Sequence, residues 1–306
     1  MSRIWLAFLG LLALLALALY FWPTPQASFE ELAADVPAAD RERLLAFRAA
    51  HPPKRLRVDG LDWEYVAFGT GPQAVLFLHG TTGAYDIWWR QLEALSDRFR
   101  VVSVTYPPAA GLAGLARGVL AVLEHERISH AHVVGSSLGG YLAQYLLARY
   151  PSYIDRLVLG NTFPPNDLLR EKHGRLVRIL PFLPEWVVMK TLAQTFRTSL
   201  YEASGRSRLL RAYLLDQASG RMSKAQVIAR ARANLEPFET VDPETVGVEV
   251  LILESDNDPL VPAELRARLK ATYPQARVRT LQGAGHFPYV NRAEEYTAHL
   301  RVFLER

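Results

Sequence analysis

The chain has 306 residues, half of them hydrophobic and 22% charged, with a formal net charge of +4 and no cysteine. That length suffices for one large α/β domain carrying an insertion. The missing cysteine excludes disulfides, thiolate metal sites, a thiol nucleophile and an acylated lipoprotein cysteine. No basic patch interleaved with aromatics is present, so no nucleic-acid partner is expected.

Ile4 to Trp22 is an uncharged run of 19 residues, mostly Leu and Ala. As a helix it reaches about 28 Å, close to the hydrocarbon thickness of a bilayer. Trp5, Tyr20 and Trp22 lie near its ends, where interfacial aromatics sit. Residues 1–22 are therefore read as an N-terminal transmembrane helix, so that residues 4–22 make the membrane a partner. Arg3 and the α-amino group precede the run, and Glu30, Glu31 and Asp35 follow it. That asymmetry predicts a cytoplasmic N-terminus with the remainder extracytoplasmic. The rival is a signal peptide whose cleavage leaves a secreted protein. The run is longer than a usual signal segment, however, and Pro25-Gln26-Ala27 is a poor cleavage site.

Residues 23–54 read as a helical stalk. Pro23 and Pro25 stiffen the exit, Ser28 with Glu31 forms a capping box, a second helix runs from Asp40 to Ala50, and Pro52-Pro53 ends it. From residue 55 the pattern changes. Asp59-Gly60 between two extended stretches signals a hairpin. Ala74–Leu78 is continuously apolar, as in a strand buried on both faces. Then come a helix near Ile87–Leu95, a strand at Val101–Val104, a helix at Leu112–Glu124, a strand at Ala131–Val134, a helix from Tyr141 and a strand at Leu157–Leu159. Strand and helix in alternation predict a mostly parallel, doubly wound sheet. Between about 163 and 245 the strand signal vanishes. This stretch carries 13 Lys/Arg against 9 Asp/Glu, which equals the formal excess of the whole chain. It reads as an inserted helical cap, with Ile179 to Met189 a Pro-broken apolar segment. Its arginines are read as solvating the cap surface, with anionic lipid headgroups as the alternative contact. The sheet resumes at Val248–Leu253 and Arg277–Leu281, and a helix from Ala293 to Leu304 closes the chain. The core is thus residues 55–162 and 246–306.

The chemistry-bearing stretch is Gly135-Ser136-Ser137-Leu138-Gly139, a G-x-S-x-G placed where a strand becomes a helix. Such a turn strains its central residue and turns Ser137 Oγ outward, with glycines letting strand and helix approach. Serine needs a base. His286 follows the last strand and is flanked by Gly283 and Gly285. A carboxylate must fix the imidazole tautomer. Asp258 and Asp256, both after Val248–Leu253, compete for that role; Asp258 is favoured, and Asp256 is assigned to loop amides. Asn161 is neutral and cannot substitute. The order Ser137, Asp258, His286 puts all three at the carboxyl ends of strands, where ligands bind in such sheets. The oxyanion donors are the amides of Leu138 and Thr81, and His79 is read as structural. No cofactor or metal is expected: Gly111, Gly114 and Gly118 have helix-face spacing and no phosphate-loop lysine follows them.

From about residue 55 onward the chain resembles the α/β-hydrolase superfamily, and within it maspardin-like proteins. The residues that carry the likeness are Tyr85-Asp86-Ile87-Trp88-Trp89-Arg90-Gln91, Gly135 to Gln144, Tyr273-Pro274-Gln275-Ala276-Arg277 and His286-Phe287-Pro288-Tyr289. The resemblance implies the sheet-plus-cap fold. The maspardin likeness also implies an alternative, a binding or scaffold protein that docks through the cap. Here the triad set is complete, which points to a serine hydrolase acting on a small-molecule ester, and the N-terminal anchor with the apolar cap segment points to an ester of lipophilic character. The N-terminal run lies outside the family pattern.

Overall fold

The computed structural model describes residues 3–305, apart from the side chains of Arg3 and Leu6. Helices α1 (Arg3–Tyr20), α2 (Phe29–Leu32) and α3 (Ala38–Ala50) lead into β1 (Lys54–Val58), β2 (Leu61–Phe68) and β3 (Gln73–Leu78). Next come α4 (Trp89–Leu95), β4 (Phe99–Thr105), α5 (Gly111–His125), β5 (Ala131–Ser136), α6 (Leu138–Arg149) and β6 (Ile154–Gly160). Helices α7 (Leu168–Ile179), α8 (Glu185–Arg197), α9 (Ser199–Ala203), α10 (Arg208–Asp216) and α11 (Lys224–Ala233) separate β6 from β7 (Glu249–Ser255). The chain finishes with α12 (Ala263–Thr272), β8 (Arg277–Leu281), α13 (Pro288–Asn291) and α14 (Ala293–Leu304).

The eight strands form one sheet in the order β1-β2-β4-β3-β5-β6-β7-β8. β1 and β2 are a hairpin, β2 also runs antiparallel to β4, and every other pair is parallel. The hairpin closes through Asp59 (φ 51°) and Gly60 (φ 78°), the left-handed pair that a two-residue turn of matching twist requires. β3 and β5 are buried along nearly their whole length because helices cover both faces of the sheet. One apolar layer gathers Val75, Phe77, Trp88 and Leu300; the other gathers Leu76, Val133, Leu142 and Ile252. In α5 the glycine at position 118 has a packing cause. A methyl group on Gly118 would lie 1.9 Å from the ring of Trp63.

Two sequence expectations shift. The helix expected at Ile87–Leu95 is a 3₁₀ turn at Tyr85–Trp88 followed by α4. The second stalk helix begins at Ala38 rather than Asp40, because Pro37 with its fixed φ starts the turn. The Ser28–Glu31 capping box forms as expected. Phe29, Val36, Leu44 and Phe47 are buried in the same layer as Val75 and the cap residues Leu209 to Leu215, so this stretch is packed into the body of the molecule.

An ionic cluster fastens these parts together. Asp86 is fully buried and takes Arg48 Nε from α3 (2.7 Å), Arg221 Nη1 from the cap (2.8 Å) and the Tyr213 hydroxyl of α10 (2.6 Å). Asp216 takes the same two guanidinium groups at 2.9 and 3.3 Å. Burial raises the Asp86 pKa, but Arg221 and Arg48 outweigh it and hold the carboxyl at about 2.

The N-terminal run is helical over Arg3–Tyr20, and its described side chains face solvent. Among the described residues no helix is long and apolar enough to cross a membrane. The transmembrane helix is therefore not established by the fold. Its expected positive flank, the α-amino group and the Arg3 side chain, lies outside the described residues.

Candidate active site

β5 ends at Ser136 and α6 begins at Leu138, leaving Ser137 alone in the sharp turn between them. Its φ of 54° is in the region that disfavours every side chain with a Cβ. The neighbours hold it there. Ser137 N–H donates to Gly160 O (3.0 Å), and Thr162 Oγ1 donates to Ser137 O (2.7 Å). The two motif glycines leave no slack: a methyl on Gly135 would meet Gly139 O at 2.3 Å, and one on Gly139 would meet Leu78 O at 2.0 Å. This is why the spacing G-x-S-x-G, and not merely a flexible loop, is needed.

His286 and Asp258 come from the loops after β8 and β7, at the same edge of the sheet. His286 Nδ1 lies 2.9 Å from Asp258 Oδ2 and 3.0 Å from Oδ1, and both side chains are buried. Asp258 Oδ1 also accepts from the amides of Leu260 (2.8 Å) and Val261 (3.1 Å). Burial raises the Asp258 pKa, but the adjacent His286 and the hydrogen bonds from His286, Asn161 and Leu260 prevail and hold it below the ordinary value. It is a carboxylate, able to orient the imidazole and to stabilise an imidazolium. Asp256 accepts from the Gly283 amide (2.7 Å), the loop-bracing part expected of it.

The loop after β3 faces the serine. A methyl on Gly80 would lie 3.2 Å from Ser137 Cβ and 3.8 Å from its Oγ. The Gly80 carbonyl is taken by His79 Nδ1 (2.6 Å) and by the Gly83 amide (3.1 Å). Because a trans peptide points its N–H opposite its C=O, the Thr81 N–H is turned away from those partners. Among the described residues neither the Thr81 nor the Leu138 amide has an acceptor in a loop or side chain. Burial, with Arg230 close by, lowers the His79 pKa well below its usual value. His79 is thus a neutral brace that accepts from the Tyr106 amide at Nε2 (3.4 Å).

Sequence reasoning missed two contributors. Asn161 (φ 39°) donates through Nδ2 to Asp258 Oδ2 (2.7 Å) and to Gly285 O (3.2 Å), tying the acid to the histidine loop. Its place at the end of a central strand was the only signal. Arg230 is the second and corrects the expectation that cap arginines solvate the surface: it is 1% exposed and donates to Thr81 O, Gly83 O and Tyr106 O. The basic composition of the cap hid it. Among the described residues no cluster of side chains suits a metal ion.

A serine elbow between strand and helix and a His–Asp pair, both at the carboxyl ends of a largely parallel sheet with helices inserted after β6, define the α/β-hydrolase architecture. The family model for the alpha/beta hydrolase fold matches residues 73–293, and the chain belongs to that family. Maspardin of Danio rerio is 24% identical over 268 residues, 85% of each chain. A hydrolase from Pseudomonas aeruginosa superposes with a TM-score of 0.69 at 21% identity, covering 83% of this chain and 99% of that one. A membrane phospholipase A, a bacterial virulence factor, superposes with a TM-score of 0.65 at 21% identity and covers 100% of this chain and 98% of its own.

Proposed function

We propose that this hydrolase is a serine esterase that cleaves a lipophilic carboxylic ester at Ser137 and is held on a membrane by α1. The observation that carries the reading is the His286–Asp258 pair, 2.9 Å apart, at the same carboxyl end of the parallel strands as a serine held at φ 54°. In the proposed cycle Asp258 keeps the His286 proton on Nδ1, leaving Nε2 to take the proton of Ser137 as Oγ attacks the ester carbonyl. The oxyanion forms against the Thr81 and Leu138 amides. His286 returns the proton to the leaving alcohol, the acyl group stays on Ser137, and water activated by the same imidazole releases the acid.

Lipophilic substrate and membrane attachment rest on the N-terminal end. A cavity of about 480 Å³ is lined by Leu19, Trp22, Trp186, Met189 and Ala193 among others, joining the exit of α1 to α8. Trp186 Nε1 donates to Leu19 O (2.7 Å), so the apolar helix leaves the body beside the cap. Beyond the N-terminal run itself, Leu176, Ile179 and Phe182 on α7 and the turn after it are the exposed large apolar residues that group together among the described residues, whereas Leu260 and Val302 stand singly. The full-length match to a membrane phospholipase A accords with this placement. The proposed orientation keeps the N-terminus cytoplasmic and the hydrolase body outside.

The alternative, a binding scaffold, rests on the maspardin likeness alone. Labelling by a fluorophosphonate decides between them: the hydrolase reading expects the protein to label and Ser137→Ala not to. No labelling of the unaltered protein, or equal labelling of both, sinks it. A panel of esters of increasing acyl length then tests the lipophilic preference.

A further inference from the structure

Arg230 is fully buried on α11 without a carboxylate partner. Its guanidinium gives Nη1 to Thr81 O (3.1 Å), Gly83 O (3.0 Å) and Met222 Sδ (3.3 Å), and Nη2 to Tyr106 O (2.7 Å). Every one of these acceptors is uncharged. Burial alone depresses its pKa to about 10, which still leaves it a cation at neutral pH. One turn along the same helix, Asn234 Nδ2 donates to Thr81 Oγ1 (2.8 Å). A buried charge facing only main-chain carbonyls is costly, and a purely stabilising brace is better built from apolar side chains. Elsewhere at the cap junction the arginines are matched by Asp86 and Asp216.

We propose that Arg230, seconded by Asn234, is a positioning residue through which the cap sets the oxyanion loop. This rests on the esterase reading of the same site. His79 fixes the peptide that ends in the Thr81 N–H. Arg230 fixes the next carbonyl and the one two residues on, and Asn234 fixes the Thr81 side chain. With Gly80 O held by His79 and the Thr81 carbonyl held by Arg230, the peptides on both sides of the Thr81 Cα are fixed, and the Thr81 N–H has little freedom to turn. Arg230 also bonds Tyr106 O, at the end of β4, so the loop is referenced to the sheet as well as to the cap. Oxyanion competence is therefore conditional on a seated cap: displacing α11 releases three contacts on the loop at once.

The test uses the full chain in detergent micelles and reads the second-order rate of phosphonylation by a fluorophosphonate. In that reaction Ser137 Oγ bonds phosphorus, fluoride departs, the serine proton passes to His286, and the phosphoryl oxygen sits where the oxyanion forms. Arg230→Met is expected to slow phosphonylation and to lower kcat on a soluble ester by about 10-fold or more, with KM within about twofold. That is a fraction of the roughly 10²–10³ attached to losing an oxyanion donor outright. Asn234→Ala and Thr81→Val, which keep the arginine and every backbone amide, are each expected to lose about 3-fold, and their double variant no more than either alone. They decide the question if Arg230→Met does not fold. Asp216→Asn, which loosens the cap at a different point, is expected to lower Tm while leaving the phosphonylation rate unchanged. If the unaltered protein labels and the Asn234 and Thr81 variants label as fast as it does, the positioning role is overturned while the esterase stands. If the unaltered protein does not label, the esterase reading itself fails.

Discussion

Two buried aspartates show how one side chain is used for opposite ends. Asp258, at the sheet edge, is balanced by an imidazole, an amide side chain and two backbone N–H groups. None of those carries a fixed charge, so the negative charge remains available to a proton moving on and off His286. Asp86, at the junction of stalk, sheet and cap, is saturated by two guanidinium groups and a phenol. It has nothing left to give to chemistry and serves to fasten three segments. A buried carboxylate facing partners that exchange protons is a working group; one facing arginines is a rivet.

The contrast is broken most severely at the sheet edge. Ser137→Ala is expected to abolish ester turnover, a loss of at least about 10⁴-fold, with Tm nearly unchanged because alanine keeps the Cβ and with it the strain of the turn. Asp258→Asn is expected to cost about 10³–10⁴ in kcat through the wrong histidine tautomer. Steady-state kinetics on a chromogenic ester reads both. Asp86→Asn should do the reverse. It leaves Arg48 and Arg221 to share the single carboxylate of Asp216, so unfolding in urea is expected to show a loss of about 3 kcal/mol, with activity per folded molecule within about threefold. Either aspartate behaving like the other would undo the comparison.

A weaker effect sharpens it on the acid side. The Asp86 carboxyl is held at about 2, so its contribution is complete above the unfolded value of about 4 and is lost as pH falls through 2. His132, buried on β5 without a hydrogen-bond partner among the described residues, has its pKa lowered by burial to about 4. The unfolded chain binds its proton first, so stability falls as pH drops from about 6.5 to 4. His132→Leu should flatten the Tm-against-pH curve in that window and leave the fall below pH 4 in place. The smallest effect belongs to Asp256→Ala, which loses one loop hydrogen bond and is expected to cost about 1 kcal/mol or less, with kcat within about twofold.

What could be read from the sequence follows the same division. Ser137, Asp258 and His286 announce themselves through local patterns, because each sits where a strand stops and turn chemistry restricts the choice of neighbours. Asp258 is preferred to Asp256 from its place before Pro259, and the fold puts Asp258 on His286 and Asp256 on the Gly283 amide. The sheet and most helix limits followed from periodicity and from Gly and Pro. Asp86 carried no such mark: its partners Arg48, Tyr213 and Arg221 lie on three other elements, and no spacing connects them. Arg230 was hidden for another reason. In a stretch as basic as the cap, a buried arginine and a solvated one look alike until the fold shows which carbonyls are waiting for it.

The docking of α3 also has a practical side for anyone preparing a detergent-free form. Trimming the chain back to the start of the first strand would strip Phe47 from the core and Arg48 from Asp86, and would leave a half-neutralised carboxylate under the cap. A cut between Pro25 and Ser28 removes the apolar run, keeps the Ser28 cap and the whole of α2 and α3, and so retains the ionic clamp between α3, Asp86 and the inserted helices.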